Sequence, residues 1–262
     1  MATLVTFHAH PDDECIGCGG TMRKAHEQGH RVVLVVATRG EHGEVPDGLL
    51  LEGEPLSQRR VAETYASAEI LGADRVEFLD YVDSGMMGEP NNDEPGSFWT
   101  ASVEAAAERL AAILREEQAD ALTCYDDNGG YGHPDHIQVH RVGLRAGALA
   151  GTPRVYQNTI NRDHLMRGMR LFAEGSATSG IEVPEPNREF GKPESVITTA
   201  VDVTPYLALK RQAMRAHASQ IGEQSFFLTL PDEAFAFAFG TEWFIREGQG
   251  PGVTETDLLA GL

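Results

Sequence analysis

The chain has 262 residues, 41% of them hydrophobic, which is ample for the core of one large α/β domain and does not require a second. Forty acidic residues against 21 basic ones give a formal net charge of -19, so the surface field opposes phosphate backbones and anionic membrane surfaces, and nucleic acid is not an expected partner. No apolar run reaches the roughly 18 residues of a membrane span, and no basic segment followed by an apolar one marks a secretory signal, so no membrane attachment and a cytoplasmic location are expected.

In chain order, the apolar run Leu4-Val5-Thr6-Phe7 predicts a first strand over 3–8. That strand delivers His8-Ala9-His10-Pro11-Asp12-Asp13-Glu14 into one short turn. Imidazole nitrogens and carboxylate oxygens are ligands for borderline divalent ions, and zinc is the usual occupant of mixed His/Asp sites. Because Asp12 and Asp13 are adjacent, one can bind an ion while the other handles a proton.

A helix over about 18–28 follows. Cys15-Ile16-Gly17-Cys18 at its start spells C-x-x-C, a redox pair on one reading and two small packing residues on the favoured one. An odd count of three cysteines, with Cys124, fits a reducing compartment rather than a disulfide framework. Gly17-x-Gly19-Gly20 lacks the spacing of a dinucleotide fingerprint and sits among acids, so it reads as close helix-to-sheet packing.

The unbroken run Val32 to Ala37 in a strand over 31–38 predicts burial on both faces, as in a parallel sheet. Helices over about 57–71, 100–117 and 135–149 alternate with strands over 75–80, 120–125 and 154–160. The segments Arg39 to Pro55, Asp83 to Ser97 and Glu174 to Glu194 read as long loops. After residue 196 a strand, a helix near 205–217 and a Phe-rich tail close the fold, with Gly248 to Leu262 as a loosely held end. The expected fold is a Rossmann-like, three-layer α/β sandwich with a mostly parallel sheet. It forms a single domain over 1–262, with a core over 1–160 and closing elements over 161–262. In such sheets ligands bind at the strand carboxyl ends, where a second cluster, Tyr131-Gly132-His133-Pro134-Asp135-His136, can meet the first.

Together, His10-Pro11-Asp12-Asp13-Glu14 and Gly132-His133-Pro134-Asp135-His136 resemble the LmbE-like superfamily, also called PIG-L, of zinc-dependent N-deacetylases. The similarity continues through Arg60-x-x-Glu63 before Ile70-Leu71-Gly72, through Asp83-Ser84-Gly85-Met86 and into Ala216-His217-Ala218-Ser219-Gln220. The last three elements look most like the actinobacterial branch that handles mycothiol and its precursor. The resemblance implies His10, Asp13 and His136 as ligands of Zn(2+), for which Fe(2+) is also compatible, with positions left open for water and a substrate carbonyl.

By the same resemblance Asp12 is the general base that takes the attacking water's proton. His133 stabilises the oxyanion or protonates the leaving amine, and Tyr131 donates to the same oxygen, with Tyr125 as a competing phenol. Asp135 orients a histidine from behind, and Glu14 does likewise or only favours the helix dipole. Arg60 and Asp83 match positions that hold sugar hydroxyls, although a salt bridge of Arg60 to Glu63 within its helix is an ordinary alternative. His8 reads as lining or core, His140 as a hydrogen-bonded histidine, and His217 and Gln220 as weaker approaches to the pocket. Gly17 departs from the mycothiol branch, which carries a polar or basic side chain there.

The expected function is zinc-dependent hydrolysis of an N-acyl, most often N-acetyl, amide on an amino sugar or related small metabolite. Its rivals are an amidase of mycothiol S-conjugate type, a C-x-x-C oxidoreductase and a non-catalytic small-molecule binding protein. The sequence leaves the substrate's identity open and is compatible with a homo-oligomer.

Overall fold

A computed structural model describes residues 1–175 and 190–262 of the chain. Seven strands form one sheet in the order β3-β2-β1-β4-β5-β7-β6. The strands are β1 (Thr3–His8), β2 (Arg31–Thr38), β3 (Arg75–Tyr81), β4 (Ala121–Tyr125), β5 (Arg154–Thr159), β6 (Thr199–Asp202) and β7 (Thr241–Arg246). The first five run parallel, while β7 lies antiparallel between β5 and β6.

The helices are α1 (Asp13–Gly17), α2 (Gly19–Glu27), α3 (Leu56–Leu71), α4 (Val103–Glu116), α5 (Pro134–Ala150), α6 (Arg162–Gly175), α7 (Leu207–Ala216), α8 (Phe226–Thr229) and α9 (Asp232–Phe239). Alternation along β2 shows how the layers form. Val32, Leu34 and Val36 join one buried cluster with Met22 of α2, Leu71 of α3 and Met214 of α7. Val33, Val35 and Ala37 join the other, with Leu110 of α4 and Val139 of α5. Successive side chains of a strand point to opposite faces, so an unbroken apolar run feeds both.

Chain order reverses beside β1, which has β2 on one side and β4 on the other. The crevice outside the strand carboxyl ends at such a reversal is where open α/β sheets bind ligands. Both histidine-bearing turns open there, one after β1 and one after β4.

Several expectations need correction. The helix over 18–28 forms as α2, but a short helix, α1, that was not expected precedes it, the two separated at Cys18, whose backbone lies outside the helical region at φ -129°. Gly19 packs on Leu71 of α3 and Gly20 on Val203 beyond β6, so the close contact is to helix and chain crossing rather than to the sheet; Gly17 alone meets a strand residue, Asn158. Helix α6 and the antiparallel insertion of β7 were not expected. The expected loop from Glu174 to Glu194 lies largely outside the described residues.

Nor is Gly248 to Leu262 loosely held. Ala200 N donates to Glu255 O at 3.0 Å and Thr254 N to Thr198 O at 2.9 Å. Leu258 and Leu259 are buried in the first cluster.

One long-range tie bears on the site. The first turn of any helix leaves amides without intrahelical partners, and no side chain within α1 or α2 caps either helix. Glu242 of β7 fills that need for α2, accepting from Gly20 N at 2.9 Å and Thr21 N at 2.8 Å. Its carboxylate is ion-paired with Lys210 of α7, and both side chains are almost fully buried.

Candidate metal centre and active site

His10 follows β1, Asp13 opens α1, and His136 is the third residue of α5. Asp13 Oδ2 lies 3.5 Å from His10 Nδ1 and 3.4 Å from His136 Nε2. Bonds of about 2.0–2.1 Å to a tetrahedral zinc place neighbouring ligand atoms roughly 3.3 Å apart, so Asp13 stands at a coordination-shell distance from each imidazole. Among the described residues, the groups around His10 whose ligand atoms all lie within 4.8 Å of one another are His10, His133 and His136, and His10, Asp83 and Asp135.

The hydrogen bonding behind the rings agrees. His136 Nδ1 lies 3.1 Å from Gly129 O, which can only accept, so the proton is assigned to Nδ1 and Nε2 presents a lone pair. That Nε2 is buried with no hydrogen-bond partner, an unmet polar atom that a metal bond would satisfy. Only glycine fits at 129: φ is +58°, and a Cβ would stand 2.2 Å from His136 Cβ. His10 Nε2 is 3.1 Å from Asp135 Oδ2 and 3.4 Å from Asp83 Oδ1, leaving Nδ1 toward Asp13. Burial disfavours charge on His10, but Asp83, Asp13 and Asp135 outweigh it and hold the imidazole well above its ordinary value.

His133 adds a third ring, with its centroid 4.6 Å from that of His10. One ligand atom from each of His10, His133 and His136 falls within 4.8 Å of the others. His133 Nδ1 accepts from Asp135 N at 3.2 Å and so caps α5. Burial, then His10 and His136, push its pKa down to about 3. A neutral imidazole accepting at Nδ1 carries its proton on Nε2, which makes His133 a donor there and leaves it no lone pair for a metal.

Asp12 occupies the N-cap position of α1 at φ 103°, ψ -29°, without capping it through its side chain, a left-handed conformation that costs a non-glycine residue about 1–3 kcal/mol. Burial pushes its carboxyl up to about 6, opposed by Arg60 and reinforced by Asp13. Arg60 Nη2 donates to Pro11 O at 2.6 Å and lies 3.4 Å from Asp12 Oδ2, while Nη1 donates to Gly40 O at 2.9 Å. The alternative pairing of Arg60 with Glu63 does not form, because Glu63 accepts from Ser219 N at 2.9 Å and Oγ at 2.6 Å.

Asp83 accepts from Gly85 N at 2.9 Å and His42 N at 3.3 Å, and its own amide donates to Glu41 at 3.1 Å. These bonds knit together the loops after β2 and β3. Burial works against ionisation of Asp83, but His10 beside it dominates and holds the carboxyl far below the usual range.

The remaining expected residues divide between rim and interior. Tyr131 is 45% exposed, with its ring edge-on to His136 at 4.9 Å. Burial of its hydroxyl end, then Asp13, raise the phenol's pKa. Tyr125 is buried, with its hydroxyl 2.9 Å from His8 Nδ1, so His8 is a core residue. His140 Nδ1 sits 3.0 Å from Tyr125 O. Cys15 and Cys18 are buried free thiols whose pKa values are raised by burial, as suits packing residues.

One contributor and one pairing went unread in the sequence. Ser84 donates from its amide at 2.9 Å and from a very close hydroxyl to Asp135; its place after Asp83 was the available signal. Glu14 accepts from His217 Nε2, and no local pattern links residues 203 positions apart.

Residues 5–147, which hold both histidine turns, match the PIG-L family, described as GlcNAc-PI de-N-acetylase. The 1D-myo-inositol 2-acetamido-2-deoxy-alpha-D-glucopyranoside deacetylase of Acidothermus cellulolyticus is 41% identical over 283 residues, covering 100% of this chain and 96% of its own. The protein of the same name from Streptomyces avermitilis is 40% identical over 291 residues, covering 99% and 97%. In fold, the chain resembles the N,N'-diacetylchitobiose deacetylase from Pyrococcus horikoshii, with a TM-score of 0.56 at 23% identity, over 93% of this chain and 83% of that one. With its metal-compatible turns inside the matched region, the chain belongs to the PIG-L family of metal-dependent de-N-acetylases.

Proposed function

We propose that this enzyme hydrolyses the N-acetyl amide of a glucosamine linked to inositol, releasing acetate and a primary amine, with zinc held by His10, Asp13 and His136. The observation that carries the reading is Asp13 Oδ2 placed 3.5 and 3.4 Å from two imidazole nitrogens, with Asp12 beside it. The inositol-linked substrate follows the names of the two relatives matched over nearly the whole chain. Held by His10, Asp13 and His136, the ion, with Fe(2+) suited to the same donors, would supply Lewis-acid polarisation of the amide carbonyl and a water pKa lowered toward about 7.

Asp12 takes the water's proton and delivers it to the departing nitrogen as the carbon–nitrogen bond breaks. His133 acts as a neutral donor to the oxyanion, since an imidazole titrating near 3 is a poor proton source at neutral pH. Tyr131, at the mouth and protonated, donates to the same oxygen. Asp135 orients His10. Arg60 and Asp83 contact the sugar hydroxyls through charge-assisted hydrogen bonds while also fixing Asp12 and His10. One chain supplies every group named, so the mechanism needs no partner subunit. Among the described residues no helix is long and apolar enough to cross a membrane, and we assign the enzyme to the cytoplasm.

The test is primary-amine release from N-acyl glucosamine derivatives, including an inositol-linked one and a bulky thiol conjugate, with metal-stripped and zinc-restored enzyme and with Asp12→Ala. Zinc-restored, Asp12-dependent release from the inositol-linked acetamide is expected. Preference for the thiol conjugate would replace the deacetylase by the amidase reading, and silence across the panel would remove both.

A further inference from the structure

We infer that Glu14 and His217 are positioning residues that hold Asp12 in its left-handed conformation. The inference rests on the reading of Asp12 as general base.

The peptide group joining Pro11 to Asp12 is gripped at both ends. Its carbonyl, Pro11 O, accepts from Arg60 at 2.6 Å, and its amide, Asp12 N, donates to Glu14 Oε2 at 2.9 Å. The φ of Asp12 is the torsion between this peptide plane and the Asp12 carbonyl carbon, whose oxygen is held by Cys15 N at 3.2 Å and Ile16 N at 3.3 Å, so fixing the plane fixes φ at 103° and with it the direction in which the carboxylate leaves the backbone.

A glutamate side chain has three torsions, so it can serve as a clamp only if its carboxylate is itself immobilised. Glu14 Oε1 accepts from Ser67 Oγ of α3 at 2.6 Å and from His217 Nε2, at the end of α7, also at 2.6 Å. Glu14, Ser67 and His217 are all fully buried, so no water competes for these bonds. Further support is lent to the α7 end by Ser219, which is tied to Glu63 of α3.

Neither Ser67 nor His217 belongs to the proposed ligand set or to the groups proposed to touch substrate. Their positioning effect passes through Glu14 to the backbone of Asp12, beside the direct pull of the His217 charge, which favours the ionised Asp12 carboxyl and is absent from both His217→Ala and His217→Gln. A displacement of about 1 Å at a reacting group costs on the order of 100-fold in rate, so a loosened clamp is expected to act on kcat rather than on binding.

The experiment compares His217→Ala, His217→Gln and Ser67→Ala with wild type and Asp12→Asn. It measures kcat and KM for amine release, zinc content per chain, and hydrogen exchange at the Asp12 amide. His217→Ala is expected to lower kcat by roughly 10- to 100-fold, with KM and zinc content unchanged and faster exchange at Asp12 than at the amides of α3. Glutamine carries an N–H donor at the position of Nε2, so His217→Gln is expected to restore most of kcat and of the amide protection.

An unchanged kcat with unchanged Asp12 protection, a rise in KM alone, or equal impairment of both His217 variants would overturn the inference. Ser67→Ala removes one hydroxyl and serves if His217→Ala does not fold, with the same outcomes deciding. If wild type releases no amine, or Asp12→Asn works as well as wild type, the proposed function has failed instead. The exchange at Asp12 then still decides whether Glu14 and His217 clamp it.

Discussion

The two turns that build the site share the letters His-Pro-Asp, yet the structure uses them differently. In the second, the helix cap is made by the turn itself: His133 caps α5 with its own ring, Asp135 lies within that helix with its carboxylate buried behind His10 and bonded by Ser84, and His136 follows one residue on. The first contains no such cap. Asp12 stands at φ 103° with its carboxylate in the crevice, and what holds it comes from far along the chain: Arg60 and Ser67 from α3, His217 from α7. Identical residue types therefore differ in role through the backbone they sit on. A helical aspartate facing inward orients a ligand, and a strained one facing outward can move a proton.

The largest test of that contrast is to neutralise each aspartate separately. Asp12→Asn is expected to lower kcat by about 10²–10⁴-fold, the usual worth of a general base, with zinc affinity retained. Asp135→Asn is expected to weaken zinc binding or activity by about 10–100-fold through loss of its hold on His10. Zinc titrations and steady-state rates on the same preparations check both, and zinc loss from Asp12→Asn alone would reverse the assignment.

The next tests concern the distant support. Lys210→Ala leaves the Glu242 charge buried without its partner and is expected to cost about 3–5 kcal/mol in urea unfolding. Removing the self-made cap with His133→Ala is expected to cost only about 1 kcal/mol. Similar losses would erase the distinction between a turn braced from afar and one that makes its own helix cap.

A pH series sharpens the comparison further. The His10 pKa is held well above its ordinary 6.5, so metal must displace a proton there. Apparent zinc affinity is expected to climb as pH rises past 6.5, with proton release visible by calorimetry in buffers of different ionisation heat. Asp12 must be ionised to act, and burial sets its pKa at about 6. A neighbouring cation only lowers that value, so an Asp12-dependent acid limb of kcat/KM is expected no higher than about 6. The smallest effect belongs to the buried thiols of the first turn: alkylating agents under native conditions are expected to leave activity within about twofold, since burial suppresses thiolate formation.

How much of this the sequence revealed depended on distance along the chain. The proposed ligands could be picked out because each turn carries its histidines and acids within a few residues, directly after a strand. Strands β1, β2 and β4 were legible because burial on both faces leaves an unbroken apolar run. Helix α6 was not, since its pattern is interrupted by Gly168, which is there because a Cβ would meet the Phe237 ring at 2.6 Å. The chain end from 248 reads as loose by its glycines, yet backbone pairing to β6, which any residue can make, pins it. The reach of His217 to Glu14 leaves no trace in either segment read alone.

The place of β7 in the sheet also orders events during synthesis. It is the last of the seven strands to be made, yet it inserts between β5 and β6, which are made before it. Until it arrives, β5 presents a bare strand edge, a template for pairing with another chain. Glu242 arrives on the same strand, so the first turns of the chain gain their final support only when that edge is closed. Chains stalled before residue 241 are thus expected to hold both histidine turns and yet aggregate, a vulnerability that ends with the six residues of β7.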